Sequence, residues 1–298
     1  MNEFLDIPYT STPNLHPHHR FDLFVPSQVI PQAAAAAPLI CFVHGGAWRS
    51  YVIRLRLRCM MTNLWISEDK TDHRALARSL AAYTSCPIIV PNYRLTNLEN
   101  KLQHPAHAQD ILQLLNFVLS WSGPQEYQFL PYDPNQIFLM GHSCSAHMLT
   151  CILLDSSEPS LAPSEALLQA VRGVVLSEGI YDIDTLLKSF PTYRDWFIVD
   201  TFGNLPAYDQ YLATRMPLRG GANHISWIII HSKGDTLVDM GQSQAMYGHL
   251  RCLQEGNFRE AGHVLKNWED LEDEHNGIFQ SEKFIRIVGD FVSGTCKK

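Results

Sequence analysis

The 298-residue sequence has no apolar run long enough to span a bilayer, no C-x-x-C pair and no excess of basic charge. Its first residues, MNEFLDIPYTSTPNLHPHH, hold no basic segment leading into an apolar run, so a chain without a signal peptide is expected. Seven cysteines are an odd number, which fits reduced thiols in a cytoplasmic protein better than a disulfide framework. A net charge of -7 offers no attraction to phosphate backbones or anionic lipid, so neither nucleic acid nor a membrane surface is an expected partner. None of the fourteen histidines belongs to a cluster with metal-ligand spacing, and His16, His18 and His19 read as a solvated loop. No metal and no cofactor are expected; the composition leaves a homodimer open.

What the chain does have is apolar content, 46% of its residues, enough for one large α/β core. Short aliphatic runs alternate with helical patterns. Strands are expected in Pro38 to Gly46, Cys86 to Leu95, Gln136 to Ser143, Val171 to Asp182 and Ser226 to Asp235. Their nearly continuous β-branched and aliphatic character implies a sheet covered on both faces. Helices are expected in Pro105 to Trp121, with Ile111, Leu112, Leu115, Val118 and Leu119 on one stripe, and in Val238 to Cys252 and Gly277 to Val292. Such alternation implies parallel βαβ units, with the chemistry beyond the carboxyl ends of the strands. Three segments stand apart: the Ala33 to Ala37 bridge, an aromatic-rich stretch over 185–221 that could cap the site, and an insertion of unknown structure over 51–73.

Ser143 lies in Gly141-His142-Ser143-Cys144-Ser145 at the end of an expected strand. A serine hydroxyl exposed on a sharp strand-to-helix turn can act as a nucleophile if a base lies within reach. Ser145 stands where a second glycine is usual, and on this motif alone an ordinary helix N-cap is the stronger reading. His44-Gly45-Gly46-Ala47-Trp48 then closes the first core strand with free backbone N–H groups. The N–H groups of Gly45, Gly46 and Cys144 are candidate oxyanion donors. After the last core strand come Asp235 and Asp239. Asp235 is preferred because it directly follows the strand end, with Glu178 and Asp182 as fallback acids. His275, in a late polar loop, is the candidate base. His231 reads as a core histidine, and His263 falls at the wrong end of the sheet.

Together these features resemble the α/β-hydrolase superfamily, from about Pro38 to the last helix. The HGGAW stretch, His44 to Trp48, resembles the H-G-G-x-W motif of the fungal-type kynurenine formamidases (arylformamidases), and the GIYD and HSKGDTLV stretches are similar to theirs as well. The resemblance implies a single domain over 1–298, with a mainly parallel central sheet and helices on both faces. It implies a serine hydrolase with Ser143 as nucleophile, Asp235 as acid, His275 as base and the H-G-G loop as oxyanion hole. The implied reaction converts N-formyl-L-kynurenine to L-kynurenine and formate, a step of tryptophan breakdown toward nicotinamide nucleotides. Trp48 and the Phe190–Phe202 aromatics are candidates for a flat apolar wall against the aryl group, although each of them singly reads as a core residue first. The alternatives are a carboxylesterase of the hormone-sensitive-lipase type for small acyl esters, or a hydrolase fold serving as a binding protein.

Overall fold

The computed structural model describes residues 1–11, 15–27, 37–57, 60–66, 68–127, 129–255 and 263–296, with only the backbone path considered along 51–57 and 60–66. The Ala33 to Ala37 bridge lies outside these residues except at Ala37. Two strands that the sequence did not announce come first, β1 (Asn2–Pro8) and β2 (Arg20–Val25). The chain continues through β3 (Pro38–Val43), β4 (Tyr51–Leu57), β5 (Met60–Ile66), α1 (Arg74–Thr84), β6 (Ile88–Pro91) and α2 (Ala106–Ser120). Then come β7 (Asp133–His142), α3 (Cys144–Leu153), α4 (Glu165–Ala170), β8 (Val171–Ser177), α5 (Ile183–Ser189) and α6 (Val199–Phe202). The last elements are β9 (Ser226–Ile230), α7 (Met240–Gln254), β10 (Val264–Asn267) and α8 (Glu282–Cys296).

Eight strands form one sheet in the order β1-β2-β6-β3-β7-β8-β9-β10. The β1–β2 and β2–β6 pairs are antiparallel, and every pair from β6 to β10 is parallel. The aliphatic runs sit in the middle because both their faces are covered. Ile111, Leu115, Met148, Leu167 and Met246 pack one face from α2, α3, α4 and α7, while Leu76, Leu80, Phe284 and Val288 pack the other from α1 and α8. Burying each such side chain contributes roughly 1.5–3 kcal/mol. All ten residues of α3 are buried, which explains why its sequence lacks a polar face. This is the α/β-hydrolase fold expected from the sequence. No helix among the described residues is long and apolar enough to cross a membrane.

The 51–73 segment divides in two. Tyr51–Leu57 and Met60–Ile66 form an antiparallel hairpin that is a two-stranded sheet of its own. Residues 68–73, by contrast, are built into the body. Asp69 caps the turn that leads into α1 with a capping box. Lys70, 2% exposed, sends its ammonium to the fully buried carboxylate of Asp22 on β2 at 2.6 Å. Arg74 reaches the same carboxylate at 2.8 Å, so the buried charge is compensated. The insertion expected over 51–73 is therefore a hairpin that ends before Glu68. One of the N-terminal histidines, His19, also departs from expectation. His19 is buried with its Nε2 3.1 Å from Asp110, because β2 draws it against α2.

Candidate active site

Ser143 occupies the sharp turn between β7 and α3, with φ 55° and ψ -121°. A non-glycine residue with positive φ costs on the order of 1–3 kcal/mol and persists only where its surroundings over-determine it. The surroundings here are hydrogen bonds: Ser143 N–H donates to Ser177 at 3.0 Å, and its carbonyl accepts from Ala146 and Ile180 at 3.2 Å. Gly141 lets α3 come this close. A Cβ there would stand 2.9 Å from Leu149 Cδ1 and 3.0 Å from the Ala146 backbone.

Ser145 does not loosen the turn. Its hydroxyl donates to the Val43 carbonyl at 2.6 Å and accepts from the His142 N–H at 2.7 Å. The side chain that replaces the usual glycine thus ties the turn to the end of β3.

Asp235 and His275 meet as expected. His275 Nδ1 lies 2.9 Å from Asp235 Oδ2, while Asp235 Oδ1 accepts the N–H groups of Leu237 and Val238 at 2.8 and 3.1 Å. Burial alone would raise the Asp235 pKa, but the hydrogen bond and charge of His275 outweigh it and hold the carboxyl below its ordinary range. The reverse holds for His275: burial lowers its affinity for a proton, and the carboxylates of Asp235 and Glu178 overcome that and raise its pKa to about 9. Asp239 stands at the start of α7, and His231 is a buried histidine bonded to Ser243 at 2.8 Å, as read from the sequence. His263 is exposed, just before β10.

The H-G-G loop faces the elbow. A Cβ on Gly45 would lie 3.2 Å from Ser143 Cβ. Gly46 has φ 96°, which glycine adopts freely, and Ala47 and Trp48 follow with φ 51° and 58°. Tyr93 fixes the loop by donating to the Gly45 carbonyl at 2.8 Å. This run of left-handed residues turns the Trp48 ring inward, against His147, Phe197 and Phe202, where it is fully buried. Trp48 is therefore a core residue, the reading its sequence favoured when taken singly, rather than a wall.

Sequence reasoning missed Glu68, the first residue described after the hairpin. Its Oε2 accepts the Gly45 N–H at 2.9 Å and lies 3.2 Å from His73 Nε2, and its Oε1 accepts from Asn276 at 3.1 Å. Burial would raise its pKa; His73, His142 and His44 outweigh this and bring it down to about 2, so it is a carboxylate. Of the three expected oxyanion donors, Gly45 is thus engaged by a side chain of the protein itself. No sequence signal marks Glu68, because its meaning depends on a contact across the hairpin.

His142, between Gly141 and Ser143, extends this network. Burial lowers its pKa to about 3, which keeps the ring neutral. It bonds Ser177 Oγ at 3.1 Å through Nδ1 and Asn276 Oδ1 at 3.1 Å through Nε2.

A cavity of about 130 Å³ opens at this place, lined by Ser143, His275, Glu68, Asn276 and Gly46. Its apolar wall includes Tyr193, Trp196 and Phe197 from the 185–221 stretch, so that stretch does border the site. Among the described residues, folding also gathers two groups that linear spacing hides, His44 with Glu68 and His73, and His142 with Glu178 and His275, each with potential ligand atoms within 4.8 Å of one another. Both ring nitrogens of His44 already face oxygens, of Gly45 and Asn92, at 3.1 and 3.2 Å. A metal ion would have to displace one of these contacts.

A strained serine, an imidazole held by a carboxylate and the glycine-rich loop thus come together around one cavity. A family profile described as "alpha/beta hydrolase fold" matches residues 63–241, well over half the chain, and the chain belongs to that family. Among curated proteins it is similar to the kynurenine formamidase of Saccharomyces cerevisiae, 23% identical over 85% of this chain and 88% of the relative. It is similar also to that of Eremothecium gossypii, 24% identical over 84% and 90%. Among solved structures, esterase B from Lactobacillus rhamnosis shares the fold with a TM-score of 0.72 at 16% identity, over 99% of this chain and 86% of that one.

Proposed function

We propose that the protein hydrolyses N-formyl-L-kynurenine to L-kynurenine and formate, as the formamidase names of its relatives suggest. Ser143 Oγ attacks the formyl carbon and His275 Nε2 takes its proton, while Nδ1–H remains on Asp235. The oxyanion forms against the N–H groups of Gly46 and Cys144, joined by Gly45 once Glu68 withdraws. His275 then protonates the departing arylamine, and water releases formate from the formyl-serine. The same steps serve tryptophan breakdown in the cytoplasm.

The observation that carries this reading is the shared cavity: Ser143 and His275 open onto one small space walled by Tyr193, Trp196 and Phe197. A formyl group needs little room, and a flat aromatic wall suits an aryl leaving group. The chemistry of the site serves an ester equally well, so the test uses both substrates. Purified protein and its Ser143→Ala variant are compared on N-formyl-L-kynurenine and p-nitrophenyl acetate. Turnover of the formamide well above the ester, reduced on the order of 10³-fold or more in the variant, is expected. Serine-dependent ester cleavage alone would make the protein a carboxylesterase. No serine-dependent turnover of either would remove the reading altogether.

A further inference from the structure

His275 faces more than one acid. The carboxylate of Glu178, which follows β8, stands with Oε2 3.2 Å from the same Nδ1 that meets Asp235 at 2.9 Å. Both carboxylate side chains are fully buried. Glu178 is held there from two directions. Its N–H donates to the carbonyl of Ile230 at 2.9 Å and its Oε1 accepts the Ser232 N–H at 3.2 Å, both at the exit of β9. Its backbone has φ 49°, a strained value for a glutamate. Among the described residues Oε2 finds no aligned hydrogen bond of its own, which is unusual for a buried oxygen.

We infer that Glu178 is a positioning residue for the base: with Asp235 it forms a two-carboxylate cradle that orients His275 and governs when its ring gives up a proton. One N–H can point along only one good line, and Asp235 holds it. Two buried anions beside one imidazole favour imidazolium, which cannot act as a base. If Glu178 carries a proton, that excess attraction is gone and a neutral His275 becomes stable beside Asp235. Burial pushes Glu178 in this direction, up to about 7. Among the described residues, the other titratable groups facing the cradle include His142, whose ring is 4.4 Å from that of His275, His231, 3.8 Å from Asp235, and Tyr193, whose phenol feels the Asp235 charge. Burial opposes a charge on all three. The proton that matters is therefore shared among Asp235, Glu178 and His275, and the site titrates as a unit.

The inference rests on His275 as the base, but its first test does not need turnover. The imidazole resonances of His275, identified by their loss in His275→Ala, are titrated by NMR in the wild-type protein and in E178Q. A fall in the His275 pKa by about one unit, a tenfold loss of proton affinity, is expected in E178Q. An unchanged titration overturns the inference. Should E178Q fail to fold, Glu178→Asp, which draws the carboxylate back by one methylene, must lower the His275 pKa in the same sense. Kinetics give the second readout. D235N is expected to keep turnover at least about tenfold above D235N/E178Q, because Glu178 still holds the ring. Equal rates in the two variants would overturn it. If Ser143→Ala leaves turnover intact, the hydrolase reading has failed, and the NMR titration alone still decides the role of Glu178.

Discussion

The Ser145 hydroxyl donates to the carbonyl of Val43 at 2.6 Å, binding the residue after the elbow to the strand that carries the H-G-G loop. The same oxygen accepts the His142 N–H at 2.7 Å. Where a glycine would only make room, this serine satisfies two buried backbone groups. Ser145→Ala should therefore remove a partner from each and destabilise the protein by about 1–3 kcal/mol, read from urea unfolding. Turnover should fall less than tenfold, since Ser143 is held independently by Ser177, Ala146 and Ile180. A stability equal to wild type would mean the two bonds contribute nothing net.

Glu68 occupies the Gly45 N–H, one of the donors that the proposed mechanism assigns to the oxyanion. In Glu68→Ala that donor becomes available, and one such donor carries roughly 10²- to 10³-fold in rate. A phenylboronic acid, which forms a tetrahedral anion on an active-site serine, should bind the variant on the order of tenfold more tightly. Weaker inhibition in a folded variant, checked by thermal melting, would instead assign Glu68 a supporting part in the site.

The hairpin of β4 and β5 is an appendage by topology. Tyr51 and Ile66 are cross-strand partners, so their Cα atoms lie about 5 Å apart and a short link can bridge the gap. On either side the body is anchored, by Ser50 N–H to the Thr96 carbonyl at 3.0 Å and by Lys70 to Asp22. Deleting Tyr51–Ile66 should leave the melting temperature within about 4 °C and preserve Ser143-dependent turnover. Loss of the folded state on deletion would show that the hairpin is part of the core assembly.

Much of this site could be read from the sequence because most of its expected residues follow an apolar strand run. Val43, His142 and Ile230 end their strands, and Gly45, Ser143 and Asp235 come within a few residues of those ends. His275 was separable from His231 by burial pattern alone: His231 follows four apolar residues, whereas His275 sits among acids. What stayed hidden depends on contacts or backbone. Trp48 stays a candidate for either a wall or the core until three consecutive positive φ values turn it into the core. Strand β1 is mostly exposed and irregular around Asp6, so it carries no alternation to detect. Glu68 and Glu178 look like ordinary carboxylates until folding sets one against Gly45 and the other against His275.

From Ser177 through His142, Asn276 and Glu68 to Gly45 runs one unbroken line of hydrogen bonds. It fastens the loop of His275 and Asn276 to the H-G-G loop, ending on the Gly45 backbone N–H. Neither loop can fray without exposing its neighbour's buried polar groups, so the two belong to a single cooperative opening unit despite lying some 200 residues apart in sequence. Breathing motions that admit water to one half of the site admit it to both.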